Sequence, residues 1–173
     1  MDYFVLEVHG AYISPQINSG TDMLDLRNMN QKSEKLKTQY KIYPISEHMQ
    51  MVYTDIMMSP CFMVSKKAME VIRLYEPHLD FEYIALHCKE RKETKVYYIP
   101  KLEEKDILIS NHQGKQIEID GSQLGKQYLF QVTGGHQKYI LIYYELVESL
   151  LRRKAVGMGL TEANVVYPHI ESR

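Results

Sequence analysis

A chain of 173 residues fits one domain of ordinary size. Hydrophobic residues make up 45% of it and charged residues 25%, average values for a globular protein that exclude disorder of the whole chain. The formal net charge of −1 gives no overall attraction to nucleic acid or to an anionic membrane, so we expect neither as a partner.

The sequence also carries information about the compartment. No apolar run approaches the roughly 20 residues that span a bilayer. Met1–Phe4 contains an acidic residue where an export signal carries a basic one. The two cysteines, Cys61 and Cys88, are more typical of reduced thiols than of a disulfide framework. These features predict a soluble, cytoplasmic protein.

The first part of the chain is predicted to contain two strands separated by a long irregular segment. Tyr3–Val8 alternates with one apolar face and predicts the first strand. Residues 10–39 combine proline, glycine, asparagine and a charged run, and a loop of that length is uncommon in a compact domain. Tyr40–Ile45 predicts a second strand, which Pro44 restricts to a sheet edge because proline has no N–H to donate.

The best-specified helix follows Ser65, whose hydroxyl can accept a hydrogen bond from the free N–H groups of a first helical turn. The apolar residues after it repeat with helical period and define one buried face: Ala68, Val71, Ile72 and Tyr75. Pro77 disfavours helix immediately before it, so the helix is predicted to end near Tyr75 or Glu76.

A β-hairpin is predicted directly after this helix. Phe81–Leu86 reads as a strand with both faces largely apolar, and Val96–Ile99 reads as the returning strand. Residues 88–94 between them are mostly charged and are expected to form a solvated tip.

A second strand–helix–strand unit is predicted later in the chain. The strand Lys138–Tyr143 leads into a helix over Tyr144–Lys154, and Val165–Tyr167 forms the last strand. The predicted buried stripe of this helix consists of Leu146, Val147, Leu150 and Leu151.

These two units define the expected fold class. We predict a single α+β domain over residues 1–173, with a mixed or mostly antiparallel sheet and helices packed on one side. The apolar spacing of the two strand–helix starts is similar, so two related halves, about residues 50–100 and 101–170, are expected to share one core.

No catalytic or metal-binding signature stands out. The seven histidines never occur as HxxxH, and the two cysteines do not form CxxC. Ser65 lies outside the nucleophile motifs GxSxG and SxxK. We therefore predict no catalytic residue, no cofactor and no resident metal.

One arrangement keeps an enzymatic alternative open. Asp80 is followed by Glu93 and Lys95, a pattern similar to that of metal-dependent nucleases, in which the carboxylates hold Mg²⁺. The density of charge around Glu93 favours a solvated loop tip instead. A nuclease-like hydrolase that uses Asp80, Glu93 and Lys95 is the alternative to a binding protein.

The chain resembles a known family in its central region. The similarity lies in Cys-Phe-Met-Val-Ser-Lys-Lys-Ala-Met-Glu-Val-Ile-Arg from Cys61, Phe-Glu-Tyr-Ile from Phe81 and Val-Tyr-Tyr-Ile-Pro from Val96. These stretches look like the core of a family of bacterial immunity proteins that accompany polymorphic toxins, long described only as a domain of unknown function. The shared motifs are a strand end and a helix cap, so they concern the fold more directly than the function.

The resemblance continues into the later part of the chain and then weakens. The segment from Tyr139 to Pro168 is similar to the second half of that family, which usually repeats a Val-Ser start. Here Tyr143 and Tyr144 stand in place of Val-Ser. In all, the resemblance covers about residues 55–170.

The resemblance implies a protein that binds a cognate toxin domain and blocks its active site, and that is not itself an enzyme. Tyr40, Tyr43 and Tyr53, beside the long irregular segment, are the candidate partner-binding residues because tyrosine side chains suit interface anchors. A self-associating module, in which aromatic strands pair between the subunits of a homodimer, is the other alternative.

Overall fold

The computed structural model describes residues 2–17, 41–46, 51–112, 116–134 and 137–167. Within these ranges the chain forms thirteen strands, two α-helices and one 3₁₀ helix. In chain order they are β1 Tyr3–Val8, β2 Gln16–Ile17, β3 Lys41–Ser46, β4 Ile56–Met57, β5 Met63–Val64, α1 Lys66–Tyr75, β6 Phe81–Cys88, β7 Glu93–Pro100, β8 Glu104–Lys105, β9 Leu108–His112, β10 Gln116–Asp120, the 3₁₀ helix Gly121–Gln123, β11 Leu129–Gly134, β12 Gln137–Tyr143, α2 Tyr144–Arg152 and β13 Met158–Val166.

Six strands form one sheet in the order β2-β3-β6-β7-β5-β4. Neighbours are antiparallel except for β3 and β6. The predicted hairpin is confirmed, since β6 and β7 pair along their whole length. The predicted edge position of Pro44 is wrong, because β3 lies between β2 and β6. Its short neighbour β2 pairs only with Ile45 and Ser46, so β2 does not need the N–H that Pro44 lacks.

Seven strands form the other sheet in the order β8-β11-β12-β1-β13-β10-β9, with β8–β11 and β10–β13 as parallel pairs. The edge strands β8 and β9 are separated in the chain by Asp106 and Ile107 only, so their ends lie within about 11 Å of each other. Leu108 of β9 also packs over Gly134 of β11, where an added Cβ would meet Leu108 Cδ2 at 2.0 Å. The sheet therefore curls toward closure.

The alternation of side chains along the strands divides the interior into three clusters. The main core lies between the two helices and one face of each sheet. Along β12, Ile142 faces the main core and Leu141 faces the inside of the curled seven-stranded sheet. Along β7, Tyr98 faces the main core and Tyr97 faces a cluster on the other side of the six-stranded sheet.

Both predicted helices are present. The Ser65 hydroxyl accepts a hydrogen bond from the N–H of Ala68 at 3.3 Å, and α1 ends at Tyr75 as expected. The stripe predicted for α2 is wrong at Leu151, which is 53% exposed. Leu150 faces the core, and the next residue of an α-helix is rotated by about 100°, so Leu151 is turned out of the buried arc.

The two strand–helix–strand units have the same connectivity. In one, β5 and β6 run in the same direction with β7 between them, and α1 makes the crossover. In the other, β12 and β13 flank β1, and α2 makes the crossover. The chain is thus an α+β protein with mixed sheets and its helices on the inner faces, as predicted. The common origin of the two halves and the extent of the single domain stay predictions.

Asp55 joins the two units. Its Oδ1 accepts a hydrogen bond from the Ser65 hydroxyl at 2.7 Å, at the start of α1. Its Oδ2 accepts one from the N–H of Val156 at 3.0 Å, just after α2, and lies 2.7 Å from Nζ of Lys67. Gly157, with φ +97°, lets the chain pass close to the carbonyl of Ile56 at this point.

Candidate functional site

The residues of the nuclease-like pattern do not come together. Asp80 directly precedes Phe81, which pairs with Pro100 at one end of the β6–β7 hairpin. Glu93 pairs with Cys88 at the other end, about 23 Å away along the strand. A metal ion coordinated by Asp80 and Glu93 together is excluded by this separation, because ligand distances are about 2 Å.

Glu93 and Lys95 instead form an ion pair with each other, at 2.8 Å between Lys95 Nζ and Glu93 Oε1. Lys95 Nζ also lies 5.7 Å from the ring centre of Tyr53, one of the three predicted partner-binding tyrosines. Tyr53 is half-buried, and burial followed by the charge of Glu93 raises the pKa of its hydroxyl. Tyr43 belongs to β3, where it pairs with Leu86. Tyr40 lies outside the described residues.

A different set of tyrosines surrounds an open cavity of about 340 Å³, which we call the tyrosine groove. Pairing of β1 with β12 places Tyr3 directly opposite Tyr143, and the segment before β11 supplies the remaining wall. The groove is lined by Tyr3, Leu124, Gly125, Lys126, Gln127, Tyr128, Tyr143 and Glu145.

The aromatic rings of this groove contact one another. The ring centre of Tyr143 lies 5.1 Å from that of Tyr3, 5.6 Å from that of Tyr128 and 4.8 Å from that of Tyr144. Tyr75, at the end of α1, extends the set with a distance of 4.9 Å to Tyr128. Tilted and edge-to-face contacts of this kind hold the rings in fixed orientations. We call these five residues the tyrosine cluster.

Tyr3 and Tyr143 are neutral at pH 7, because their surroundings raise the pKa of each hydroxyl. The Tyr3 hydroxyl donates a hydrogen bond to the carbonyl of Gln127 at 2.8 Å. Burial above all, and then the neighbouring Tyr143 and Glu76, raise the pKa of Tyr3 from 10.0 to about 12. Desolvation and then the carboxylate of Glu145 raise the pKa of Tyr143 above 10.0. The half-buried Tyr143 and the exposed Tyr144 therefore offer aromatic faces and O–H groups to a ligand.

A second cavity, of about 170 Å³, lies next to the first, and Gln127 lines both. We call it the acidic groove, because Glu76, Asp80 and Glu103 contribute to its wall. Oε1 of Glu76 accepts a hydrogen bond from the N–H of Tyr128 at 2.6 Å, which connects the acidic groove to the tyrosine cluster. The remaining lining residues are His78, Leu79, Lys101 and Leu129.

The positive charge of Lys101 in the acidic groove is balanced by the carboxylate of Glu82. The ammonium group is buried and lies 2.8 Å from Oε2 of Glu82. Glu103 accepts a hydrogen bond from the side-chain amide of Gln127. The Asp80 carboxylate is exposed and has no ion-pair partner among the described residues. The outer part of the acidic groove therefore carries uncompensated negative charge.

The described residues provide neither a cluster of metal-binding side chains nor an exposed thiol. Within them, no three His, Cys, Asp or Glu side chains lie close enough to share a metal ion. Burial raises the pKa of the Cys61 thiol from 9.0 to about 12, and Cys88 is fully buried. Cys61 is therefore not a nucleophile at neutral pH, since only the thiolate reacts, and Cys88 is shielded from solvent.

The sequence pattern indicates Tyr40, Tyr43 and Tyr53 as partner-binding residues, whereas Tyr3, Tyr128 and Tyr143 line the groove. Tyr3 and Tyr143 meet only because β1 pairs with a strand 140 residues further along, and that pairing has no local signal. The family that the chain resembles usually has Val-Ser where this sequence has Tyr143 and Tyr144. This difference is the sequence feature that indicates the position of the groove.

The described residues define an α+β protein with a tyrosine-lined groove beside an acidic one. No protein-family model matches the chain, and no curated protein sequence is significantly similar to it. None of the helices in the described part of the chain is long and apolar enough to cross a membrane.

Proposed function

We propose that this chain is an immunity-type binding protein, which neutralises a cognate toxin domain by direct protein–protein contact in the cytoplasm. The tyrosine groove is the observation that carries the proposal. Tyrosine supplies a large apolar face and a hydroxyl at low cost in conformational entropy, and it is enriched at the energetically dominant positions of protein interfaces.

The construction of the groove supports this role. Tyr143 and Tyr128 are half-buried and held by ring contacts, whereas Tyr144 at the rim is 40% exposed. A preorganised aromatic surface loses little side-chain freedom when a partner binds, so more of the contact energy appears as affinity. A cavity of about 340 Å³ accommodates a few protruding side chains of a partner.

The motifs that carry the family resemblance lie in the scaffold of the first strand–helix–strand unit. The Cys61–Arg73 stretch forms β5 and the capped start of α1, and Val96 belongs to the hairpin that completes the same unit. These residues build the scaffold beneath the surface. The proposed partner-binding residues Tyr40, Tyr43 and Tyr53 from the sequence pattern stay a second candidate surface.

The alternative of a self-associating module is a homodimer through aromatic strands, and exposed leucines on the helices offer another way to self-associate. The two helices expose large apolar side chains, with Leu74 at 68% and Leu151 at 53% exposure. A homodimer that buries these leucines would be detected by analytical ultracentrifugation as a doubled mass that Leu74→Lys and Leu151→Lys abolish. The nuclease-like alternative has no such support, because Asp80 and Glu93 lie at opposite ends of one hairpin.

The proposal is tested by capture and rescue. Tagged protein is incubated with lysate of its own source, and the chains that co-purify are identified by mass spectrometry. Each captured multidomain protein is then tested by expression of its C-terminal domain in a neutral host, with this chain or with an empty vector. We expect a toxic domain whose growth arrest this chain relieves. Capture without toxicity, or toxicity without relief, contradicts the proposal.

A further inference from the structure

The charges around the tyrosine groove and the acidic groove are unequal. Four carboxylates line the two cavities, those of Glu76, Asp80, Glu103 and Glu145. Two lysines also line them, but Lys101 is held in its buried ion pair with Glu82. Lys126 alone remains as an exposed cation among the described lining residues.

One of these carboxylates, Glu145, acts directly on the tyrosine cluster. The charge of Glu145 is the largest cause of the raised pKa of Tyr144. Glu145 and Asp2 also contribute to the raised pKa of Tyr143, after desolvation. A raised tyrosine pKa means that further negative charge is disfavoured at this place. The same field attracts a cation.

Gln127 connects the two grooves, and its side-chain oxygen lacks a hydrogen-bond donor among the described residues. Its side-chain Oε1 is buried and accepts no hydrogen bond from the described residues. Its amide nitrogen already donates to Glu103. A buried acceptor without a donor costs free energy, so the side-chain amide of Gln127 is imperfectly satisfied at the junction of the two grooves.

These features together match the chemistry of arginine. A guanidinium group stacks on aromatic faces, donates several N–H bonds in one plane and forms paired hydrogen bonds with carboxylates. We propose that the tyrosine groove and the acidic groove form one docking surface, which receives an arginine side chain from a basic segment of the protein partner. The guanidinium lies against the tyrosine cluster and donates to the exposed carboxylates of Asp80 and Glu103.

This inference rests on the proposed binding function and adds the chemistry of the partner. Charge complementarity selects a basic protein segment over nucleic acid, because phosphate groups would be repelled by the four carboxylates. A compact lysine ammonium is a weaker match, since it lacks the planar fork and stacks less well on rings.

The surface is tested without the partner by NMR. The ¹⁵N-labelled full chain is titrated with N-acetyl-arginine methylamide, and in parallel with the uncharged N-acetyl-norleucine methylamide. We expect saturable shifts of the amides of Lys126–Leu129 and of Tyr144 and Glu145, with a Kd of about 1–10 mM, which suits a ligand of this size. The norleucine compound should bind at least about 5-fold more weakly.

Charge-removing variants locate the site. Asp80→Asn with Glu103→Gln should weaken binding of the arginine compound at least about 5-fold, because two acceptors lose their charge. Glu90→Gln is the matched control, since Glu90 lies at the other end of β6 from Asp80 and should leave the Kd unchanged. Dispersed spectra and unchanged thermal midpoints establish that each variant is folded.

Several outcomes overturn the inference. These are the absence of saturable shifts, equal binding of the norleucine compound, shifts centred elsewhere, or an unchanged Kd in the double variant. Shifts of the same amides on simple concentration of the protein would assign the surface to a second copy of the chain, which also overturns it. Because the titration needs no toxin, its failure is distinct from a failure of the rescue experiment.

Discussion

Asp55 and Lys67 form an ion pair of 2.7 Å at the place where the two strand–helix–strand units meet. The same carboxylate accepts hydrogen bonds from Ser65 and from the N–H of Val156, and Lys67 also donates to the carbonyl of Lys154 at 3.1 Å. The start of one helix is thus connected to the end of the other through one largely buried side chain, which is 13% exposed.

We expect Asp55→Ala to lower the free energy of unfolding by about 2–4 kcal/mol, because several hydrogen bonds to a charged, largely buried group are lost. Urea unfolding followed by circular dichroism measures this change. Glu70→Ala is the matched control, since its pair with Lys66 is exposed and 3.8 Å long, and should cost about 0.5 kcal/mol or less. Equal effects of the two substitutions would contradict the role given to Asp55.

The backbone conformation of Gly157 leads to a second prediction at the junction of the two strand–helix–strand units. Its φ of +97° is unfavourable for any other residue, and an added Cβ would lie 2.5 Å from the carbonyl oxygen of Ile56. Gly157→Ala should therefore lower the unfolding free energy by about 2 kcal/mol or more. At Gly10 an added Cβ meets nothing within 4 Å, so Gly10→Ala should change stability by less than about 0.5 kcal/mol. If both variants unfold at the same denaturant concentration, the close approach at Gly157 is wrong.

The raised pKa of Tyr3 predicts that the stability of the fold depends on pH in the alkaline range. The pKa of Tyr3 is raised to about 12 in the folded protein, so folding favours the neutral hydroxyl. This contribution is complete below pH 10, where tyrosine is also neutral in the unfolded chain, and is lost as pH rises from 10 through 12. Tyr3→Phe removes it. Thermal midpoints measured from pH 9 to 12 should fall less steeply for the variant than for the parent chain, and parallel curves would be evidence against burial of this hydroxyl.

The two thiols should resist labelling in the folded protein. Cys61 has its pKa raised to about 12 by burial, and Cys88 is fully buried, so the thiolate is scarce at one site and inaccessible at the other. Ellman's reagent at pH 8 should react at least about 100-fold more slowly than with a small free thiol, and should count two thiols after urea is added. Rapid reaction of either thiol without denaturant would contradict the packing described here.

Much of the local structure follows from short sequence patterns. Ser65 caps α1 as expected because the cap and the first turn are adjacent in the chain. The β6–β7 hairpin is likewise a contact between neighbours. The prediction that Leu151 is buried is wrong, because helical period alone does not define how wide an arc of the helix the core covers.

The division into two sheets and the candidate site depend on distant residues. The tyrosine groove requires Tyr3 of β1 beside Tyr143 of β12, and the segment of Tyr128 packed against both Tyr143 and Tyr75. None of these pairs is close in sequence. Pattern reasoning could therefore identify an abundance of tyrosine but not the surface on which those residues meet.

The most direct test of the binding account is calorimetric titration of the captured toxic domain with this chain and with a variant whose tyrosine groove is blocked. Gly125 lines the groove and an added Cβ there meets nothing within 4 Å, so Gly125→Trp places a bulky side chain at the groove without a clash at its Cβ. Gly10→Trp adds the same side chain at another open position and serves as the control. We predict a 1:1 complex that Gly125→Trp weakens at least about 10-fold and Gly10→Trp leaves unchanged, because a blocked central pocket removes the dominant contacts. Equal affinity of both variants, or no binding by the parent chain, would contradict the account.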